Sequence, residues 1–94
     1  MPAVCRVGDG CTGHGCHPPR KSLENGSTVT SSSRNIHCVG DPWEVHNCGD
    51  DTHDGVTASG SPDVMVGGKP VGRVGDRINC GSVIAAGDAT VFIN

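Results

Sequence analysis

Histidine and cysteine are the side chains of this sequence best suited to do chemistry, and they recur in register. The 94 residues include six Cys and five His, a density that fits a metal shell or a disulfide framework. Three copies of one tripeptide set the count: Val7-Gly8-Asp9, Val39-Gly40-Asp41 and Val74-Gly75-Asp76. His14 follows Asp9 by five residues, His46 follows Asp41 by five, and Cys80 follows Asp76 by four. Three potential ligands therefore hold near-equivalent places. His53 supplies a fourth from the longest loop, between Gly49-Asp50-Asp51-Thr52 and Asp54. His14, His46, His53 and Cys80 would form a tetrahedral shell of three imidazoles and one thiolate, which suits Zn²⁺ and also admits Fe²⁺.

The remaining cysteines and histidines leave alternatives open. Cys48 lies two residues beyond His46 and competes with it for a place in the shell, and Cys16 stands at the matching place in the first loop. A Cys11–Cys16 disulfide is allowed by spacing, but the opening residues lack an apolar signal core, which favours a reducing compartment and hence metal. Cys5 and Cys38 fall on expected strands, where a small buried thiol is the expected role. His17 and His37 are expected at the surface. Asp50, Asp51 and Asp54 are expected to form a solvated acidic loop or to orient the His53 imidazole. A shell closed by four protein ligands leaves no open position for catalysis. No nucleophile elbow, phosphate loop or zinc-protease helix motif is present, so the chain reads as a non-enzyme.

The elements that must position these residues are repeats. Asp9, Asp41 and Asp76 are spaced by 32 and 35 residues. Gly60-Ser61-Pro62-Asp63-Val64-Met65-Val66 resembles Gly87-Asp88-Ala89-Thr90-Val91-Phe92-Ile93, and a degenerate copy begins at Gly26-Ser27-Thr28-Val29. In the middle copy Val64-Met65-Val66 leads into Gly67-Gly68-Lys69-Pro70 and returns through Val71-Gly72-Arg73-Val74, which predicts a β-hairpin. The first copy, residues 29–39, replaces the glycine turn by Ser31-Ser32-Ser33 and is expected to be the least regular. The third copy is split: residues 90–94 are an outgoing strand with no return, and residues 3–9 a return strand with no outgoing partner. The two ends are expected to pair and to close a ring of three hairpins, leaving no free strand edge. Pseudo-threefold closure would gather the loops after each Gly-Asp at one end.

Bulk composition agrees. One domain spanning residues 1–94 is expected, with one Trp, one Phe and no Tyr to fill its core, so something besides packing must hold it together. Fifteen Gly and six Pro argue for turns over helices. A formal net charge of −3 without a basic patch excludes a nucleic-acid binder. No apolar run approaches a membrane span, and synthesis in the cytoplasm is expected.

Residues 60–76 resemble the repeat of PAAR-domain proteins, with Pro70-Val71-Gly72-Arg73 standing where Pro-Ala-Ala-Arg would be. Thr12-Gly13-His14-Gly15-Cys16-His17-Pro18-Pro19-Arg20 is similar to the opening loop of the spike-tip proteins of T-even phages. The first repeat departs from the motif with Asn35-Ile36-His37-Cys38. The resemblance implies an all-β cone whose base sits on a homotrimeric β-helical spike, one cap per trimer. Its apex would hold zinc on three His and one Cys, in agreement with the spacing. It further implies a monomer at the tip of a phage tail or type VI secretion spike that meets a target envelope transiently. Met65 and Phe92, with Thr30 as counterpart, hold equivalent places in the repeats and are either anchors for the spike or part of the core. Competing readings are a free zinc-binding adaptor, a disulfide-rich secreted module and a small zinc hydrolase.

Overall fold

The computed structural model describes residues 1–23 and 29–94. Gly26, Ser27 and Thr28 of the degenerate first copy lie outside the described residues. Among those described there is no helix. Three short antiparallel ladders stand out: β1 (Thr30–Ser31) with β2 (Arg34–Asn35), β3 (His46–Cys48) with β4 (Asp51–His53), and β5 (Met65–Val66) with β6 (Lys69–Pro70).

Two of these ladders and the chain ends are the three expected hairpins, and they share one register. Thr30 pairs with Asn35 and Met65 with Pro70. Phe92 bridges Ala3, Val4 donates to the Val91 carbonyl at 3.0 Å, and Ile93 donates to the Pro2 carbonyl at 3.0 Å. The termini thus complete the third hairpin. The hairpin β1–β2, expected to be the least regular, keeps the register of the others but turns through two serines. Ser32 and Ser33 adopt φ of 49° and 71°, the conformation that Gly67 and Gly68 adopt at 59° and 80° in the β5–β6 turn. Left-handed backbone costs a non-glycine residue about 1 kcal/mol or more. Part of that cost is offset at Ser32, whose hydroxyl donates to Asp88 Oδ2 at 2.6 Å. Ser33→Gly should therefore raise stability by about 1 kcal/mol, read as a higher urea midpoint at unchanged m-value; a loss would mean the turn is not strained.

The three return strands close on one another through a cycle of backbone hydrogen bonds. Cys5 N–H donates to Gly72 O at 2.9 Å, Gly72 N–H to His37 O at 2.8 Å, and His37 N–H to Cys5 O at 3.0 Å. A second threefold set follows, with Val7, Val39 and Val74 donating to Asn35, Pro70 and Ala3 at 2.8, 2.8 and 3.0 Å. Each Val-Gly-Asp then makes a tight turn. Asp9, Asp41 and Asp76 donate back to Arg6, Cys38 and Arg73, with Gly8, Gly40 and Gly75 at φ of 91°, 88° and 94°. Glycine is required there because the turn needs positive φ at its third residue.

The same three aspartates are buried and accept the amide of the residue three before them, each at 2.8 Å. Cations neutralise them: Arg6 and Arg34 on Asp9, Lys69 on Asp41, Arg73 on Asp76. Arg73 is the arginine of the motif, and Arg6 is its equivalent. Where the first repeat has Cys38 in that place, Lys69 arrives from β6 instead.

The interior divides into two clusters. Val4, Cys38 and Val71 lie on the hairpin side, with Ile36, Val64, Val66 and Ile93 packed against them. Cys5, Cys11, Trp43, Ile78 and Ile84 lie on the loop side, with Val74 and Cys80. Cys5 and Cys38 are buried thiols, as expected.

His37, expected at the surface, is fully buried. Gly72, its neighbour in the hydrogen-bonded cycle, lets the backbones close up: a Cβ there would meet His37 O at 3.1 Å and Ile84 Cδ1 at 3.3 Å. The Trp43 indole donates to Thr57 Oγ1 at 2.9 Å, and that hydroxyl lies 2.6 Å from His37 Nε2. A hydroxyl has one proton and two lone pairs, so Thr57 can accept from the indole and still either donate to His37 Nε2 or accept from it, while His37 Nδ1 is buried without a hydrogen-bond partner. Burial pushes the His37 pKa down to about 4 from the ordinary 6.5. The unfolded chain therefore binds a proton that the folded chain refuses. Stability is full above pH 6.5 and falls as pH drops from 6.5 toward 4, by up to about 3 kcal/mol from this residue. Denaturant titrations at pH 7 and 4.5 should show that loss in the wild type and a smaller one in His37→Gln; equal losses would assign the proton elsewhere.

Candidate metal centre

The loops that follow the three Gly-Asp turns have very different lengths, yet each delivers a donor to one place. In the first, His14 and His17 exchange backbone hydrogen bonds at 3.1 and 2.8 Å across a tight turn. Gly13 opens that turn at φ 70°, and a Cβ there would sit 2.5 Å from His17 O. In the second, the segment expected as an open loop is the β3–β4 hairpin, turned at Gly49 with φ 60°. Its signal was Asn47-Cys48-Gly49-Asp50, turn-forming residues between short polar strands. His46 and His53 are cross-strand partners, so both imidazoles project on one face. In the third, Cys80 occupies a short turn closed by Gly81 N–H to Ile78 O at 3.1 Å.

His14, His46, His53 and Cys80 are brought together, their donor atoms all within 4.8 Å of one another. His53 Nε2 lies 2.9 Å from His14 Nε2 and 2.8 Å from His46 Nε2. His46 Nδ1 donates to the Pro18 carbonyl at 3.0 Å, which fixes its tautomer and leaves a lone pair on Nε2. Desolvation, followed by neighbouring imidazoles, holds the His14 pKa below its ordinary value. Desolvation also lowers that of His46, against the Pro18 bond. Ring nitrogens this close need a proton or a cation between them. Donors of a tetrahedral zinc site stand about 3.3 Å apart, so the residues present fit a transition metal in scale and donor type.

His17 is a further member of the cluster and is buried, contrary to the surface position expected of it. Its ring centroid lies 4.6, 4.7 and 4.3 Å from those of His14, His46 and His53. His17, His53 and the exposed Asp51 form a second group of donors, with His17 Nε2 at 3.4 Å and His53 Nδ1 at 3.9 Å from Asp51 Oδ2. The tight turn between His14 and His17, set by Gly13 and Gly15, is the signal that could have found His17.

The cysteine alternatives resolve geometrically. Cys16 and Cys48 form a disulfide. Cys48 is thus tied to Cys16, while His46 reaches the cluster. Cys11 is a buried free thiol in the core and does not pair with Cys16. The disulfide joins the two long loops two residues beyond His14 and His46, so a metal-like cluster and a disulfide coexist in one end of the molecule.

The sequence profile of the PAAR motif family matches residues 12–86. The chain is a PAAR-motif protein. PAAR-motif proteins are spike-tip components of contractile injection machines and associate with spike proteins, in a structural rather than a catalytic capacity. The PAAR match begins after the first return strand and ends before the last outgoing one. The split hairpin therefore lies outside it, although its register is that of the two hairpins within. No match was found among curated proteins.

Proposed function

We propose that this PAAR-motif protein is the metal-pinned cap of a homotrimeric β-helical spike, one monomer per trimer, at the tip of a phage tail or type VI secretion machine. The observation that carries this reading is the threefold register of the hairpins. Thr30, Met65 and Phe92 occupy the same pairing position in three repeats and all are exposed, Met65 by 53% and Phe92 by 49%. Three like-placed hairpins offer one site to each protomer of a trimer, and a pseudo-threefold monomer can cover a threefold face without a gap. Large apolar groups held half in water favour anchors over core.

At the other end His14, His46, His53 and Cys80 would hold Zn²⁺, or Fe²⁺. A bound metal would supply cross-linking that so small a core lacks. The role is mechanical: a sharp, stiff end that meets the target envelope. The test is co-expression with the cognate spike, followed by mass measurement and metal analysis of the complex. A one-to-three complex with one metal per chain is expected. A protein that stays monomeric beside its spike would be a free metal-binding module instead.

A further inference from the structure

Threefold equivalence makes one departure from symmetry conspicuous. Cys11, Trp43 and Ile78 donate their amides to the carbonyls of Arg20, Gly55 and Ser82, at 2.9, 3.0 and 2.9 Å. These three acceptors are therefore equivalent positions, and they carry one arginine, one glycine and one serine. The arginine is buried, 5% exposed. Its guanidinium occupies the space that Gly55 leaves: a Cβ there would meet Arg20 Nη2 at 2.8 Å. That nitrogen donates to Cys80 Sγ at 2.7 Å, and Nη1 donates to Glu44 O at 2.9 Å. Nε is buried with no partner.

The other cations that reach the core, Arg6, Arg34, Lys69 and Arg73, each sit on a buried aspartate. Among the described residues no carboxylate is paired with Arg20. A buried cation without an anion costs several kcal/mol. Of the two groups to which the guanidinium donates, the Cys80 sulfur is the one that can carry negative charge, and it is a thiolate whenever a metal holds it.

We infer that Arg20 is a positioning residue of the metal centre, its guanidinium holding the Cys80 sulfur beside the imidazoles and supplying the counter-charge to the metal-held thiolate. The inference rests on the reading of the four residues as metal ligands. Its consequences are a tighter site and an electron-poorer sulfur, because a hydrogen bond to a ligating thiolate draws density away from the metal.

Cobalt(II) is the probe, since a tetrahedral site with one thiolate gives visible d–d bands and a sulfur-to-cobalt charge-transfer band. Arg20→Met should weaken Co²⁺ binding by about 10- to 100-fold and move the charge-transfer band to longer wavelength. Arg20→Lys, one donor in place of a fork, should recover part of both. Gly55→Ala serves if Arg20→Met does not fold: it keeps the guanidinium but displaces it from the sulfur, and the same band should move. A lowered melting temperature with an unmoved band in these variants would make Arg20 merely structural and overturn the inference. Wild-type protein that takes up neither Co²⁺ nor Zn²⁺ would instead overturn the metal centre itself.

Discussion

Cys80→Ser should destabilise the protein by several kcal/mol and make its melting insensitive to chelators, whereas Cys5→Ser should leave chelator sensitivity intact. Both thiols belong to the loop-side interior, so loss of packing alone does not separate them. Cys5 is fully buried on the ring, and burial pushes its thiol up. A hydroxyl there costs about 1–3 kcal/mol for a poorly satisfied polar group. Cys80 is half-buried, and its sulfur lies among the donors of His14, His46 and His53. If a metal is held there, its binding free energy is part of the folding free energy, and serine is a poor substitute for thiolate. Melting curves of both variants with and without chelator, alongside elemental analysis, decide the matter. Wild-type melting unmoved by complete metal removal would defeat the prediction. Acid should act in the same direction, because protons and metal compete for the same nitrogens. The lowered pKa of His14 and of His46 means that this competition starts below the pH at which an ordinary imidazole is half protonated.

Met65→Asp or Phe92→Asp should abolish spike binding while leaving the melting temperature nearly unchanged. Truncating an anchor costs about 1 kcal/mol or more of binding, and an aspartate adds the cost of burying an unpaired charge at the interface. In the free protein both side chains are about half exposed, so the change removes little from the core. Pull-down with the cognate trimer, beside thermal melts of the isolated variants, reads both quantities. Retained binding would move the docking face elsewhere, and loss of folding would return these residues to the core.

Much of the frame was legible because repetition is visible in a sequence. Val-Gly-Asp three times, with a glycine that only positive φ explains, located the turns. The half-hairpins at the two ends located the closure between Ala3 and Phe92. Register from the Gly-Asp turns also pointed to His14, His46 and Cys80, because each loop starts from an equivalent strand, and the longest loop pointed to His53; the four donor groups lie close together. What spacing could not show is how loops of unequal length fold back. The β3–β4 hairpin carries polar residues with no alternation of apolar ones, so no strand period marks it. His37 was placed at the surface because its buried partners, the Trp43 indole and the Thr57 hydroxyl, are not marked by any repeat period. His17, the Cys16–Cys48 pair and Arg20 were hidden for the same reason: each is defined by a partner on another repeat.

The cycle formed by Cys5, Gly72 and His37 bears on how the molecule takes load. In an open sheet, force at one end separates hydrogen bonds in succession, each rupture exposing the next. Here every strand of the cycle donates to one neighbour and accepts from the other, so there is no outermost strand at which peeling can begin. Thrust delivered along the axis is divided among three strands of nearly equal geometry, and none can yield without the other two. Failure must be concerted. An object so built behaves under impact like a wedge, transmitting compression from the loops to the hairpins with little give between them.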